Sequence, residues 1–290
     1  MSQLLTATLP DAVDRTSLQT GRGPFACLEA HPPHDERKGA VLLLPGLTGS
    51  KEDFAPLLPP LAAAGYRAVA VDGRGQYETD GPSSPAAYTP AELAADVIAL
   101  TATLGDEPVH LVGHSFGGFV AREAVLRAAA SEPAMPWASL TLLNSGPSAP
   151  STGQRRRAQL LIDALASLPK DDIWSYVRPA QACRDAEALM RERWARTTAQ
   201  SLVSAARWLL DPPSGISDLA ACGIPVLVLA GEPDDSWSAS ELDAMAVQLK
   251  AERLTIPSGG HSPGIHAPRA TAEALAEFWA GRGRSRPQTR

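Results

Sequence analysis

The chain has 290 residues, 44% of them hydrophobic and 20% charged, with a formal net charge of −6. That length suits one large α/β domain or two small ones, and the acidic balance excludes the basic face expected of a nucleic-acid binder. Cys27, Cys183 and Cys222 are widely spaced and odd in number, which excludes a metal pattern or a disulfide framework and fits a reducing compartment.

From Met1 to Thr20 no basic start is followed by an apolar stretch, and no apolar run is long enough to span a bilayer. The expectation is a cytoplasmic protein. Ser17–Thr20 and Phe25–Ala30 flank Gly21-Arg22-Gly23-Pro24, the pattern of an antiparallel hairpin at a sheet edge. His31 and His34 lie in the polar loop that follows, with no third ligand at a useful spacing, and read as solvated. Ala40–Leu44 is a continuous apolar run, as in a buried parallel strand. A helix is expected from Asp53 to Ala64, then a strand over Arg67–Val71, then a helix opened by Thr89-Pro90 and running to Leu104. Val109–Val112 is the next strand, Phe116–Ala130 a helix, and Ser139–Leu143 another strand.

Strands alternating with helices predict an α/β fold with a mostly parallel central sheet covered on both faces. The alternation then breaks for roughly 80 residues, far beyond an ordinary connection. This insert reads as helices over Gln154–Leu168, Asp171–Cys183 and Ala186–Leu210, and it carries Trp174, Trp194 and Trp208. Residues 147–215 are therefore assigned to a helical lid, between core segments 1–146 and 216–280. Arg155-Arg156-Arg157 at its start reads as a solvated helix face. Beyond the insert come a strand at Pro225–Ala230, a helix at Ser238–Leu249, a short strand at Glu252–Ile256, a turn-rich loop at Pro257–Gly264 and a helix at Pro268–Ala280. Residues 281–290, with four arginines, read as a disordered tail.

The chemistry concentrates at Gly113-His114-Ser115-Phe116-Gly117-Gly118, between a strand and a helix. Gly-x-Ser-x-Gly in that context is the nucleophile-elbow pattern. A serine held at a strained turn needs neighbours without side chains, and the following helix points its positive end at a developing oxyanion. The hydroxyl also needs a base, and the base needs an orienting carboxylate. The elbow resembles that of the α/β-hydrolase family, and the resemblance implies that the acid and then the histidine follow the serine. Only His261 and His266 lie downstream of Ser115. His261 follows Gly259-Gly260 on the loop after the last strand, whereas His266 is closer to the final helix and reads as a surface residue. The strand at Pro225–Ala230 runs into Gly231-Glu232-Pro233-Asp234-Asp235. Asp234 is the favoured acid and Asp235 its near competitor, with Glu232 too early. The preceding strand ends in Asn144, which cannot carry the charge.

These motifs, together with Pro45-Gly46-Leu47-Thr48-Gly49-Ser50 and Asp72-Gly73-Arg74-Gly75, resemble those of the α/β-hydrolase family over about residues 40 to 280. The resemblance implies an α/β-hydrolase fold and a Ser115-His261-Asp234 triad. It also implies oxyanion donors at the backbone N–H groups of Leu47 and Phe116, and no metal or organic cofactor. Where the family often has His-Gly, this chain has Pro45-Gly46. The activity expected is hydrolysis of an ester, thioester or related acyl bond of a small, largely apolar substrate. Acyl transfer, perhydrolysis, carbon–carbon bond hydrolysis and non-catalytic ligand binding are the alternatives on the same fold. Epoxide and haloalkane opening are disfavoured, because those relatives place aspartate at the elbow.

Overall fold

Short apolar runs, too brief for buried helices, become the strands of one sheet. The computed structural model describes residues 6–33, 37–105, 108–131, 135–178, 184–213 and 215–281. The hairpin strands are β1 (Asp14–Thr20) and β2 (Gly23–Ala30), followed by β3 (Gly39–Leu44), β4 (Tyr66–Val71), β5 (Val109–His114), β6 (Trp137–Leu143), β7 (Val226–Gly231) and β8 (Glu252–Ile256). Their order across the sheet is β1-β2-β4-β3-β5-β6-β7-β8. From β4 to β8 every pair is parallel, while β2 runs antiparallel to both β1 and β4. All residues of β3, β5 and β7 are buried, as parallel strands covered on both faces must be.

Alternate strand residues face two cores. One lies against α1 (Leu58–Ala63) and α11 (Pro268–Trp279), and contains Leu43, Leu58, Leu61, Val112, Leu229 and Leu275. The other lies against α2 (Pro90–Thr101), α3 (Phe116–Ser131), α8 (Ile216–Ala221) and α9 (Ala239–Leu249), and contains Leu42, Leu111, Phe119, Val125, Leu140 and Met245. The Thr89 side chain caps α2, and Ser238 with Glu241 forms a full capping box on α9.

The helix expected over residues 53–64 is instead a 3-10 turn at Lys51–Phe54 followed by α1. Pro56, Pro59 and Pro60 supply no N–H to carry one helix through, and each disfavours helical backbone in the residue before it. Between β6 and β7 stand α4 (Thr152–Ser167), α5 (Lys170–Val177), α6 (Arg184–Arg196) and α7 (Ala199–Leu210). The single helix expected over Ala186–Leu210 breaks at Thr197-Thr198. Thr198 has extended backbone and caps α7 through its hydroxyl, and both threonines bond the loop after β4: Thr198 N–H donates to Gly75 O, and Tyr77 N–H to Thr197 Oγ1. Helix α8 lies where the sequence predicts no element, and the short α10 (Pro263–His266) overlaps the turn-rich loop expected at Pro257–Gly264. At six and four residues they are too short to show a periodic face. His34, Cys183 and residues 282–290 of the tail lie outside the described residues. No described helix is long and apolar enough to cross a membrane.

The helices after β6 have a core of their own, formed by Leu161, Ile173, Trp174, Met190, Trp194 and Leu202. Trp208 departs from that group and packs edge-to-face on Phe116, with ring centres 5.4 Å apart. Leu47 packs against the main core and against both smaller clusters of these helices.

Candidate active site

Strand β5 ends at His114 and α3 begins at Phe116, leaving Ser115 alone in the turn with φ of +52°. A non-glycine residue in left-handed backbone is strained and persists only when its surroundings hold it. Here Ser115 N–H donates to Leu143 O at 2.9 Å, and Gly118 N–H donates to Ser115 O at 3.0 Å. The flanking glycines allow the approach. A Cβ on Gly113 would lie 2.4 Å from Gly117 O, and one on Gly117 would lie 2.4 Å from Leu44 O.

The loops after β7 and β8 meet this turn. His261 Nε2 lies 3.1 Å from Ser115 Oγ, and its Nδ1 lies 2.8 Å from Asp234 Oδ1. The competing acid is elsewhere. The Asp234 side chain is 4% exposed, whereas that of Asp235 is 64% exposed and pairs with Arg157. Glu232 and His266 are exposed. Burial by itself would raise the Asp234 carboxyl. The hydrogen bond and charge of His261, the Asn144 amide and the Ser236 N–H outweigh it and hold the group below its ordinary value. Arg155 and Arg156 are exposed, as expected for a solvated face.

Three residues around the site were not singled out by sequence reasoning. Asn144 Nδ2 donates to Asp234 Oδ2 at 3.0 Å. His114 is buried, and desolvation carries its pKa down to about 4. Its neutral ring therefore donates from Nε2 to His261 O at 2.7 Å. Gln76 Nε2 donates to Gly46 O at 2.9 Å, pinning the loop that carries Leu47. A Cβ at Gly46 would lie 3.3 Å from the Ser115 Cβ, so that loop crosses directly over the serine. Only the position of Asn144 at a strand tip gave a sequence signal; the partners of His114 and Gln76 come from distant loops.

A buried ionic cluster anchors the same loop. Lys51 Nζ lies 2.7 Å from Asp72, 3.1 Å from Glu52 and 2.6 Å from Glu78. Arg193 of α6 reaches Asp53 at 2.7 Å and Ser50 Oγ at 3.2 Å, so the inserted helices are tied to the loop after β3. Among the described residues, no group of three or more His, Cys, Asp or Glu side chains could hold a metal ion.

Residues 41–274 match the Alpha/beta hydrolase family. RutD of Variovorax paradoxus (strain S110), provisionally named for carbamate hydrolysis, is 31% identical over 87% of this chain and 95% of its own length. Epoxide hydrolase B of Mycobacterium tuberculosis (strain ATCC 25618 / H37Rv) is 37% identical, over only 34% of this chain and 28% of its own. Among solved structures, an esterase from Thermogutta terrifontis superposes with a TM-score of 0.72 at 21% identity, covering 93% of this chain and 99% of that one. The enol-lactonase from Burkholderia xenovorans LB400 gives 0.72 at 17% identity, covering 91% and 100%. With the family match spanning residues 41–274, from β3 to the last helix, the chain belongs to the α/β-hydrolase family of enzymes.

Proposed function

We propose that this enzyme is a serine hydrolase that cleaves an ester, thioester or related acyl bond of a small, largely apolar substrate. The observation that carries the reading is the unbroken hydrogen-bond chain from Ser115 Oγ through His261 to Asp234. Ser115 attacks the carbonyl carbon while His261 Nε2 takes its proton. Asp234 holds the ring through Nδ1 and stabilises the imidazolium as it forms. The amides of Phe116 and Leu47 receive the oxyanion, each donor lowering the barrier by about 3 kcal/mol. His261 then protonates the leaving group, and a water activated by the same ring releases the acyl-enzyme. The relatives support an acyl bond to oxygen or nitrogen, through the carbamate named for RutD and the ester and enol-lactone named in the structural neighbours.

Residues 147–215 act as the lid in this reading, between core segments 1–146 and 216–280. The packing of Leu47 against the clusters formed by α4, α6 and α7 supports it. An apolar acyl chain suits that environment, because closure there removes apolar surface from water. The test is labelling with a fluorophosphonate and mapping of the modified residue, with p-nitrophenyl esters of graded chain length as substrates. Modification at Ser115 and loss of turnover in Ser115→Ala are expected. Labelling at another residue, or turnover that survives the substitution, refutes the reading.

A further inference from the structure

We infer that Asn144 is a positioning residue that holds the acid and the histidine in register. The inference rests on the serine-hydrolase reading above and extends it beyond the three reacting side chains. Asn144 stands one residue past β6, completely buried, with φ of +43°. Its side-chain amide reaches three segments at once. Oδ1 accepts from Gly231 N–H at 2.8 Å. Nδ2 donates to Gly231 O at 3.1 Å, to Asp234 Oδ2 at 3.0 Å and to Gly260 O at 3.3 Å. Gly231 ends β7 and leads to Asp234, and Gly260 immediately precedes His261. One planar group therefore ties the tip of β6 to both loops that supply partners to Ser115.

The chemistry explains the residue type. The carboxylate of Asp234 has two oxygens. Oδ1 faces His261 and accepts from Ser236 N–H, while Oδ2 receives the Asn144 amide. An uncharged donor at Oδ2 fixes the carboxylate plane without competing for its charge. Asparagine also tolerates the left-handed backbone better than other side chains of its size. The Asn144 main chain has a second duty: its N–H donates to Leu229 O at 2.9 Å, which sets the β6–β7 register at the point where the acid loop leaves.

The decisive variant is Asn144→Gly, which removes the amide and leaves the left-handed backbone unstrained. Two readouts are taken on the full chain: steady-state kinetics with p-nitrophenyl butyrate, and the far-downfield NMR resonance of the proton between His261 and Asp234. The second needs no turnover, and it is assigned by its disappearance in Asp234→Asn. The expected result is a fall in kcat of about tenfold to a hundredfold, with KM within about twofold, and a shifted or lost resonance. Asn144→Asp is the second variant, nearly identical in shape. It sets a carboxylate about 3 Å from Asp234 Oδ2, and the acid limb of its pH–kcat/KM profile should move upward by about one unit. A role limited to stability would lower the unfolding midpoint, yet leave the resonance and kcat of folded Asn144→Gly in place, and that outcome overturns the inference. Turnover that survives Ser115→Ala instead overturns the hydrolase reading, and the resonance still reports on Asn144.

Discussion

Gly117→Ala gives a sharp test of how the elbow is built, because helix propensity and packing predict opposite signs. Gly117 is the second residue of α3, and its backbone is not in the left-handed region. On propensity alone, alanine there would stabilise the helix by up to about 1 kcal/mol. The structure leaves no room for it. The added Cβ would lie 2.4 Å from Leu44 O, 2.6 Å from Pro45 O and 2.8 Å from Leu44 C, all of them main-chain atoms. Ordinary contact requires a separation about 1 Å greater. Strand β3 cannot retreat freely, since it is hydrogen-bonded to β4 on one side and β5 on the other. Overpacking of this kind costs about 3 kcal/mol at the upper end of its usual range. Crediting about 1 kcal/mol for propensity leaves a net loss of about 2 kcal/mol.

The displacement falls on Pro45, two residues before Leu47. In the proposed mechanism the Leu47 amide is an oxyanion donor, and moving it by about 1 Å lowers kcat about a hundredfold. Urea denaturation gives the first number and p-nitrophenyl butyrate kinetics the second. Gly153→Ala is the control: it is exposed in the first turn of α4, and its nearest atom is Ser151 Oγ at 3.9 Å. That change should be neutral or stabilising by a few tenths of a kcal/mol. A Gly117→Ala protein as stable as the parent would refute the account of the close approach between α3 and β3.

Other parts of the molecule give independent expectations. Arg193→Met removes a buried cation bonded to the Asp53 carboxylate and should cost about 3–5 kcal/mol, with part recovered in Arg193→Met/Asp53→Leu; calorimetric unfolding of both measures this. Asp234 has its carboxyl held below the ordinary 3.8, so its contribution to stability is present above about pH 4 and fades as pH falls through the folded-state value. Urea midpoints collected from pH 6 to pH 3 should therefore decline more steeply for the parent than for Asp234→Asn, and parallel curves would contradict the linkage. Cys27 is completely buried, and desolvation pushes its thiol up to about 12. Iodoacetamide at pH 8 should leave it unmodified in the native protein and alkylate it after denaturation, as peptide mass mapping would reveal.

Much of the fold was legible because it follows from local pattern. The apolar runs at residues 40–44, 109–112 and 226–230 could be little but buried strands, and the structure has strands there. The hairpin around residues 21–24 carried its own turn residues, and Gly-x-Ser-x-Gly between a strand and a helix marked Ser115. Helix boundaries were less legible wherever tertiary contact sets them. Within residues 186–210 the local signal is the capping hydroxyl of Thr198, and tertiary hydrogen bonds fix the break there: Thr198 N–H donates to Gly75 O, and Tyr77 N–H donates to Thr197 Oγ1.

The site divides along the same line. Chain order and residue type narrowed the histidine to two positions and the acid to neighbouring aspartates, because the loops following parallel strands all open at one end of the sheet. Sequence favoured Asp234 but kept Asp235 as a near competitor, since adjacent residues in a loop differ only in the direction the backbone gives them. Burial and contact separate them: one carboxylate faces His261, and the other pairs with Arg157 in solvent. Asn144 and His114 act through partners 87 to 147 residues away, and Gln76 acts over a gap of 30 residues to Gly46. By itself the chain determined which residue types stood at which strand tips. Which of them touch was decided only by the order of strands across the sheet, because proximity between distant loops is a property of the folded backbone and leaves no local pattern.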